Sequence, residues 1–343
     1  MKLFSSILFL IVVAFSCKSA MKKVPENPTA NFINNTEIDS LMQTCYKRGI
    51  FNGNVLVLKN DRIIYKNSIG FADSAKVEKL SQDMIFNIGS IAKEFSAVSI
   101  MKLVEENKIN LEDKISKHLP NLPDWSNKIK IGHLLNYTSG LPKYNWDKVR
   151  TDDDVYNDLI NIEKLEAEPG TKQIYSNNNI FLRKMIIEKI SGDSYKNYVK
   201  ENLLVPLEMK HTFLSPLTQV PKIAMGFSDQ PNAEEQTAYD KMSGGSFLTT
   251  DDMYKWIAGL HAKKIITAES INILNIPFTT GRYAETSLGA SNIENGVMTR
   301  HQHSGSHINY ECLIDHNLEN GLTVILFTNT TAHKLWKIDH AIN

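Results

Sequence analysis

A chain of 343 residues that is 42% hydrophobic and 22% charged has the length and composition of a globular protein with one large or two intimate domains. Its 38 Lys and Arg are matched by 38 Asp and Glu, so no net field draws it to nucleic acid or to an acidic polymer. A small molecule or a peptide is the expected substrate.

Lys2 precedes an apolar run over 3–15, followed by Ser16 and Cys17. The run is too short to span a bilayer as a stable helix and has the form of a secretory h-region. A Cys just after a small residue is where a bacterial lipoprotein signal is cut and lipidated, so 1–17 reads as a lipoprotein-type signal peptide. Export and a lipid anchor at Cys17 in the bacterial envelope are expected. Phe15 stands where a smaller residue is usual, and ordinary cleavage nearby is the alternative. Residues 18–35 hold Lys22, Lys23, Pro25, Pro28 and several Asn without an apolar period, and read as a tether to a domain over 36–343. Beyond Cys17 the chain has only Cys45 and Cys312, either a pair in an oxidising compartment or two buried free thiols.

Ile38, Leu41, Met42, Cys45 and Tyr46 recur at helical spacing, and Gly49 supplies a stop. Residues 54–58 and 62–69, rich in Val, Ile and Leu on either side of Lys59-Asn60-Asp61, predict a hairpin. Two late strands are predicted over 308–315 and 322–328, joined through Asn320-Gly321. The two chain ends should therefore share one antiparallel sheet. The stretch 116–240 has few strand-like runs and reads as an inserted helical subdomain, with helices over 179–190 and 195–204. Asp152-Asp153-Asp154 reads as a solvated helix start.

Phe86-Asn87-Ile88-Gly89-Ser90-Ile91-Ala92-Lys93 is predicted to open a long helix, with Phe95, Val98, Met101 and Val104 on one apolar stripe. At i and i+3, Ser90 and Lys93 project to the same side. A serine hydroxyl is a poor nucleophile until a base takes its proton, and a desolvated lysine at a helix start can do so. The helix N-terminus also leaves free backbone N–H groups for a developing oxyanion. Alone, S-x-x-K also fits a capping serine beside a surface lysine.

The signature of serine β-lactamases and penicillin-binding proteins is S-x-x-K followed by two companion boxes. Pro169-Gly170-Thr171 leading into Tyr175-Ser176-Asn177 resembles the family's second box in its Y-x-N form, and His303-Ser304-Gly305 stands where the third box, usually K-T-G, precedes a strand. Segments Ile131-Gly132-His133-Leu134-Leu135, Tyr137-Thr138-Ser139-Gly140-Leu141-Pro142, Pro206-Leu207-Glu208-Met209 and Ser243-Gly244-Gly245-Ser246 also resemble the family. The tyrosine is similar to that of class C β-lactamases and D-alanyl-D-alanine carboxypeptidases. The resemblance implies an α+β, β-lactamase/transpeptidase-like fold, an antiparallel sheet flanked by helices with the helical subdomain inserted and the site between.

It further implies Ser90 as nucleophile, Lys93 and Tyr175 as proton carriers, and Asn177 on the substrate amide. Gly305 would keep the cleft clear, and the Ser306 backbone N–H would be the second oxyanion donor. His303 would face the substrate where most relatives present a lysine. Histidine changes charge near pH 6.5 and lysine only near pH 10, so a carboxylate held by His303 would bind less well as pH rises. His301, His303 and His307 form an H-x-H-x-x-x-H pattern, but its third ligand would have to come from elsewhere, and no Gly-x-Ser-x-Gly elbow occurs. No metal or cofactor is expected. The substrate stays open among a D-alanyl peptide, a β-lactam, an ester and a D-amino-acid amide. A silent peptidoglycan-fragment-binding lipoprotein is the reading from another class.

Overall fold

Each end of the chain supplies strands to one antiparallel sheet. The computed structural model describes residues 35–145, 148–149, 151–215, 222–228, 245–277, 285–294 and 297–343. The expected signal segment 1–17 with Cys17, the tether as far as residue 34, and Ser243 and Gly244 lie outside the described residues.

The strands are β1 Gly53–Lys59, β2 Arg62–Ile69, β3 Phe86–Asn87, β4 Thr212–Leu214, β5 Ser246–Leu248, β6 Glu285–Thr286, β7 Gly289–Glu294, β8 Val297–His307, β9 Tyr310–Asn317 and β10 Leu322–Thr328. The main sheet has seven strands in the order β2-β1-β10-β9-β8-β7-β6, and β3-β5-β4 form a small second sheet. The expected hairpin and the pairing of chain ends are both present, Gly53 facing Thr328 and Lys59 facing Leu322. Cys45 and Cys312 are free, buried thiols.

Both faces of the sheet are covered, which is why β10 reads as a continuous apolar run instead of an alternating one. Leu56, Leu58, Ile314, Ile325 and Phe327 enter the larger core, and Val55, Val57, Leu313, Val324 and Leu326 enter a smaller one on the other face. The smaller core is closed by helix Thr36–Lys47, through Ile38, Met42 and Cys45, and by helix Leu335–Ile342, through Leu335 and Ile338. Asn35 caps the first of these, its Oδ1 accepting from the N–H groups of Glu37 and Ile38 at 3.1 and 3.2 Å.

Helix Lys93–Glu105 runs through the larger core. The expected single stripe is wider than the pattern suggested, since Ser96, Ala97, Ser99, Ile100 and Leu103 are buried beside Phe95, Val98 and Met101. The serines stay satisfied by donating to the previous turn, Ser96 Oγ to Lys93 O at 2.9 Å and Ser99 Oγ to Phe95 O at 2.7 Å. Between Ile115 and Leu204 the described elements are helical, including Asp152–Ile160, Asn177–Ser191 and Tyr195–Val199. The Asp152-Asp153-Asp154 run starts its helix as expected, with Thr151 and Asp154 forming a capping box.

Candidate active site

The predicted helix start over 86–93 is three pieces. Phe86–Asn87 pairs with β5 as a strand, Gly89–Ala92 forms a 3₁₀ turn, and the α-helix begins only at Lys93. The 3₁₀ turn brings Ser90 and Lys93 into closer line than an α-helix would, because residues i and i+3 of a 3₁₀ turn eclipse one another. Lys93 Nζ stands 2.9 Å from Ser90 Oγ. Asn87 Oδ1 accepts from Gly89 N–H at 2.9 Å and Ile88 N–H donates to Ser246 O at 3.0 Å, which anchors the turn from both sides.

The third box lies within β8, not ahead of a strand, and β8 crosses the nucleophile turn at contact distance. A Cβ on Gly305 would sit 2.0 Å from Ile88 O and 2.8 Å from Ser90 N, and one on Gly89, where φ is +53°, would sit 2.5 Å from Ser306 N. Gly305 is thus required by the backbone of the turn beneath it, more than by the open cleft. Two facing glycines bring the Ser90 and Ser306 amides into one corner, the arrangement an oxyanion needs.

Tyr175 donates to Ser90 Oγ at 3.0 Å. It sits just before helix Asn177–Ser191, held by Ile174 N–H donating to Tyr137 O at 2.8 Å and by its ring stacked on Tyr137 at 5.0 Å. Ser176 caps that helix, accepting from Asn178 N–H at 3.2 Å, so the capping role falls to serine and not to the Asn run. Asn177 is half-buried as the first helical residue, and its carbonyl accepts from Tyr144 OH at 3.2 Å.

Burial pushes the Lys93 ammonium down; Tyr137 and Glu285 pull it up and the Arg183 cation pushes it further down. Burial raises the Tyr175 phenol, and its bond to Ser90 offsets part of that. Lysine is thereby favoured as the neutral base and tyrosine as the neutral donor.

The motifs alone single out neither Arg183 nor the place of Tyr137 beside Tyr175. Tyr137 is buried at φ +54°, unusual for a side chain of its size, and Arg183 lies under it with its guanidinium carbon 5.1 Å from the ring centroid. Arg183 is fully buried and donates from Nε and Nη2 to Leu134 O at 3.1 and 2.8 Å. A charge inside Ile180-Phe181-Leu182-Arg183 was the available signal.

His303 lines the cleft as expected, but its Nδ1 is 2.6 Å from Glu94 Oε1. The cleft measures about 920 Å³ and is bordered near Ser90 by Tyr137, Tyr175, Glu285 and Ser306. Among the described residues no group of His, Cys, Asp and Glu is arranged to hold a metal ion.

At the cleft's far end Arg300 Nε donates to Asp315 Oδ1 at 2.7 Å, and Arg300 Nη2 is 3.8 Å from Asp339 Oδ2. Burial, then the charge and hydrogen bonding of Asp315, push the Asp339 carboxyl up to about 8. An unfolded Asp titrates near about 4. The native state therefore binds the extra proton between these values, and the stability it contributes is complete below about pH 4 and lost as pH rises through about 8. Thermal unfolding of Asp339→Asn should show a flatter pH dependence over that window than wild type. Equal slopes would show Asp339 to be ionised throughout.

With this geometry in place, one match decides the family: the Beta-lactamase family model covers residues 35–340. The chain belongs to the β-lactamase family. It is 35% identical over 185 residues to Penicillin-binding protein 4* of Bacillus subtilis (strain 168), which is 51% of this chain and 40% of that protein. The chain thus spans less than half of that relative's length. The octameric penicillin-binding protein homologue from Pyrococcus abyssi superposes with a TM-score of 0.76 at 23% identity, over 88% of this chain and 75% of that one. D-amino acid amidase from Ochrobactrum anthropi superposes with a TM-score of 0.73 at 20% identity, over 87% of this chain and 91% of that one. At these identities the superpositions establish the fold.

Proposed function

We propose that this protein is a serine hydrolase that cleaves a small amide or ester through an acyl-enzyme at Ser90. The observation that supports this best is the placement of Lys93 Nζ at 2.9 Å and Tyr175 OH at 3.0 Å from the one hydroxyl. Lys93 accepts the Ser90 proton as Oγ attacks the carbonyl carbon, and the oxyanion rests on the Ser90 and Ser306 amides. Tyr175 passes a proton to the leaving group, whose bond to the acyl carbon breaks. Water then attacks the acyl carbon and gives a proton to the same carriers, the bond from Ser90 Oγ to that carbon breaks, and Oγ takes the proton back as the acid product leaves. The candidate substrates are D-alanyl peptides, β-lactams, D-amino-acid amides and simple esters, a range that membership of the family supports. Asn177 is assigned the substrate amide by its place in the second box.

Labelling with a fluorescent penicillin and with a fluorophosphonate, followed by peptide mapping, tests the reading. An adduct on Ser90 supports it; absence of any adduct favours a silent peptidoglycan-fragment-binding protein. Turnover of a D-alanyl peptide, a cephalosporin and a p-nitrophenyl ester then ranks peptidase, lactamase and esterase. Lys93→Ala and Tyr175→Phe are each expected to slow acylation by about 100-fold or more, as losses of proton carriers do. Stopped-flow acylation rates within a few-fold of wild type would remove either residue from that role.

We also propose that the protein is exported and anchored by lipid at Cys17. Among the described residues no helix is long and apolar enough to cross a membrane, so the anchor would be the N-terminal segment. Labelled fatty acid should enter wild type and not Cys17→Ser, and Cys17→Ser should leave the membrane fraction. Wild-type protein recovered without lipid would show that Cys17 is not the attachment site.

A further inference from the structure

Lys93 and Glu94 leave the same helix start in different directions. Lys93 reaches Ser90, whereas Glu94 turns beneath β8 and is fully buried. Trp256 Nε1 donates to Glu94 Oε2 at 2.7 Å, while Glu94 Oε1 is 3.0 Å from His301 Nε2 and 2.6 Å from His303 Nδ1. Burial works to raise this carboxyl, but the charge and hydrogen bonds of the two histidines outweigh it and hold it well below the usual carboxylate range.

An ionised carboxylate only accepts, so both histidine nitrogens that face it carry hydrogens. The other nitrogen of His301, Nδ1, lies 3.0 Å from His261 Nε2. Burial pushes His261 down to about 2, with the charges of His301 and His316 adding to the effect, so His261 is a neutral ring sharing one hydrogen with His301. The hydrogens that face Glu94 are thus fixed on both rings. Trp256 is itself held edge-on against Phe95 at 4.7 Å, which leaves Glu94 little room to turn away.

We propose that Glu94 is the positioning residue for His303: by accepting the hydrogen of Nδ1 it leaves Nε2 as the nitrogen for the cleft, bare whenever the ring carries a single hydrogen, so the site then favours a substrate offering an N–H or ammonium there over one offering a carboxylate. The proposal rests on Ser90 being the catalytic nucleophile of this cleft. A lysine in the third box can only donate; a singly protonated histidine whose Nδ1 donates inward reverses that polarity. Among the described residues Nε2 has no hydrogen-bond partner that would compete with a substrate. Glu285, on the same cleft wall and close enough for its charge to act on Lys93 and Tyr175, adds a preference of the same sign.

The tautomer is read directly from long-range ¹H–¹⁵N correlation spectra of the ¹⁵N-histidine-labelled full chain at pH 8.5, with His303 assigned by the signals lost in His303→Gln. The expected ring is protonated on Nδ1 and bare on Nε2. In Glu94→Gln the amide can donate to Nδ1, and the proton should move to Nε2. The KM ratio for two matched p-nitrophenyl esters, one carrying a free amine and one a carboxylate at the same position, should then shift toward the carboxylate by about ten-fold, the size of a lost hydrogen bond to a charged group. Glu94→Asp should retain the wild-type order of preference. Fluorophosphonate labelling of Ser90 in the same samples separates loss of the active site from loss of the preference. A wild-type His303 protonated on Nε2, alone or together with Nδ1, overturns the proposal without recourse to any variant. So does a Glu94→Gln protein that labels normally and keeps its KM ratio within about two-fold of wild type.

Discussion

Replacing Ser90 by alanine is expected to abolish covalent labelling and to lower kcat by on the order of 10⁴- to 10⁶-fold, while thermal unfolding shifts by no more than about 1 kcal/mol. The asymmetry follows from the geometry. Losing one oxyanion donor costs about 3 to 4 kcal/mol, but losing the hydroxyl removes the acyl-enzyme route itself. The fold should tolerate the change because Ser90 Oγ contacts Lys93 and Tyr175 at the cleft floor, where water can replace it. Burst titration and denaturant unfolding on the same preparation measure both effects. An acyl adduct surviving in Ser90→Ala would assign the chemistry to another serine.

Gly305→Ala is expected to be nearly as damaging although it removes no functional group. The added methyl would lie 2.0 Å from Ile88 O and 2.8 Å from Ser90 N, both backbone atoms that no side-chain rotation can clear. Strand β8 is held in register by β9, with Gly305 opposite Cys312, so the strain falls on the nucleophile turn. Overpacking of this kind costs about 1 to 3 kcal/mol, and a displacement near 1 Å between reacting groups can cost about 100-fold. We expect kcat to fall by about 100-fold or more with a moderate loss of stability. Gly132→Ala is the control, since its methyl would meet nothing nearer than Leu111 O at 3.4 Å. Equal activity in the two variants would mean that the turn and β8 do not work as a unit.

Much of the site was legible because it is local. Ser90 and Lys93 are three residues apart, and any tight helical turn brings them together; Tyr175 was found because its box is compact. The hairpin at 53–69 and the strand pair at the C-terminal end were legible from runs rich in Val, Ile and Leu and from turn residues. Local pattern misjudged the 86–93 segment, because Phe86 and Asn87 suit a helix start equally well until β5 pairs with them. It also missed Arg183 and Glu94, whose partners lie on other elements.

The sequence by itself determined the family, through short boxes in a fixed order, and the juxtaposition of Ser90 and Lys93, through a spacing that survives in any tight helical turn. Only the tertiary structure decided what His303 contacts. Glu94 and His303 are 209 positions apart, and they meet because β8 runs over the nucleophile turn with His301, His303 and Gly305 on its inner face. A slip of one residue in that register would turn all three outward, and register is set by the pairing of β8 with β7 and β9, which no stretch of the chain contains on its own.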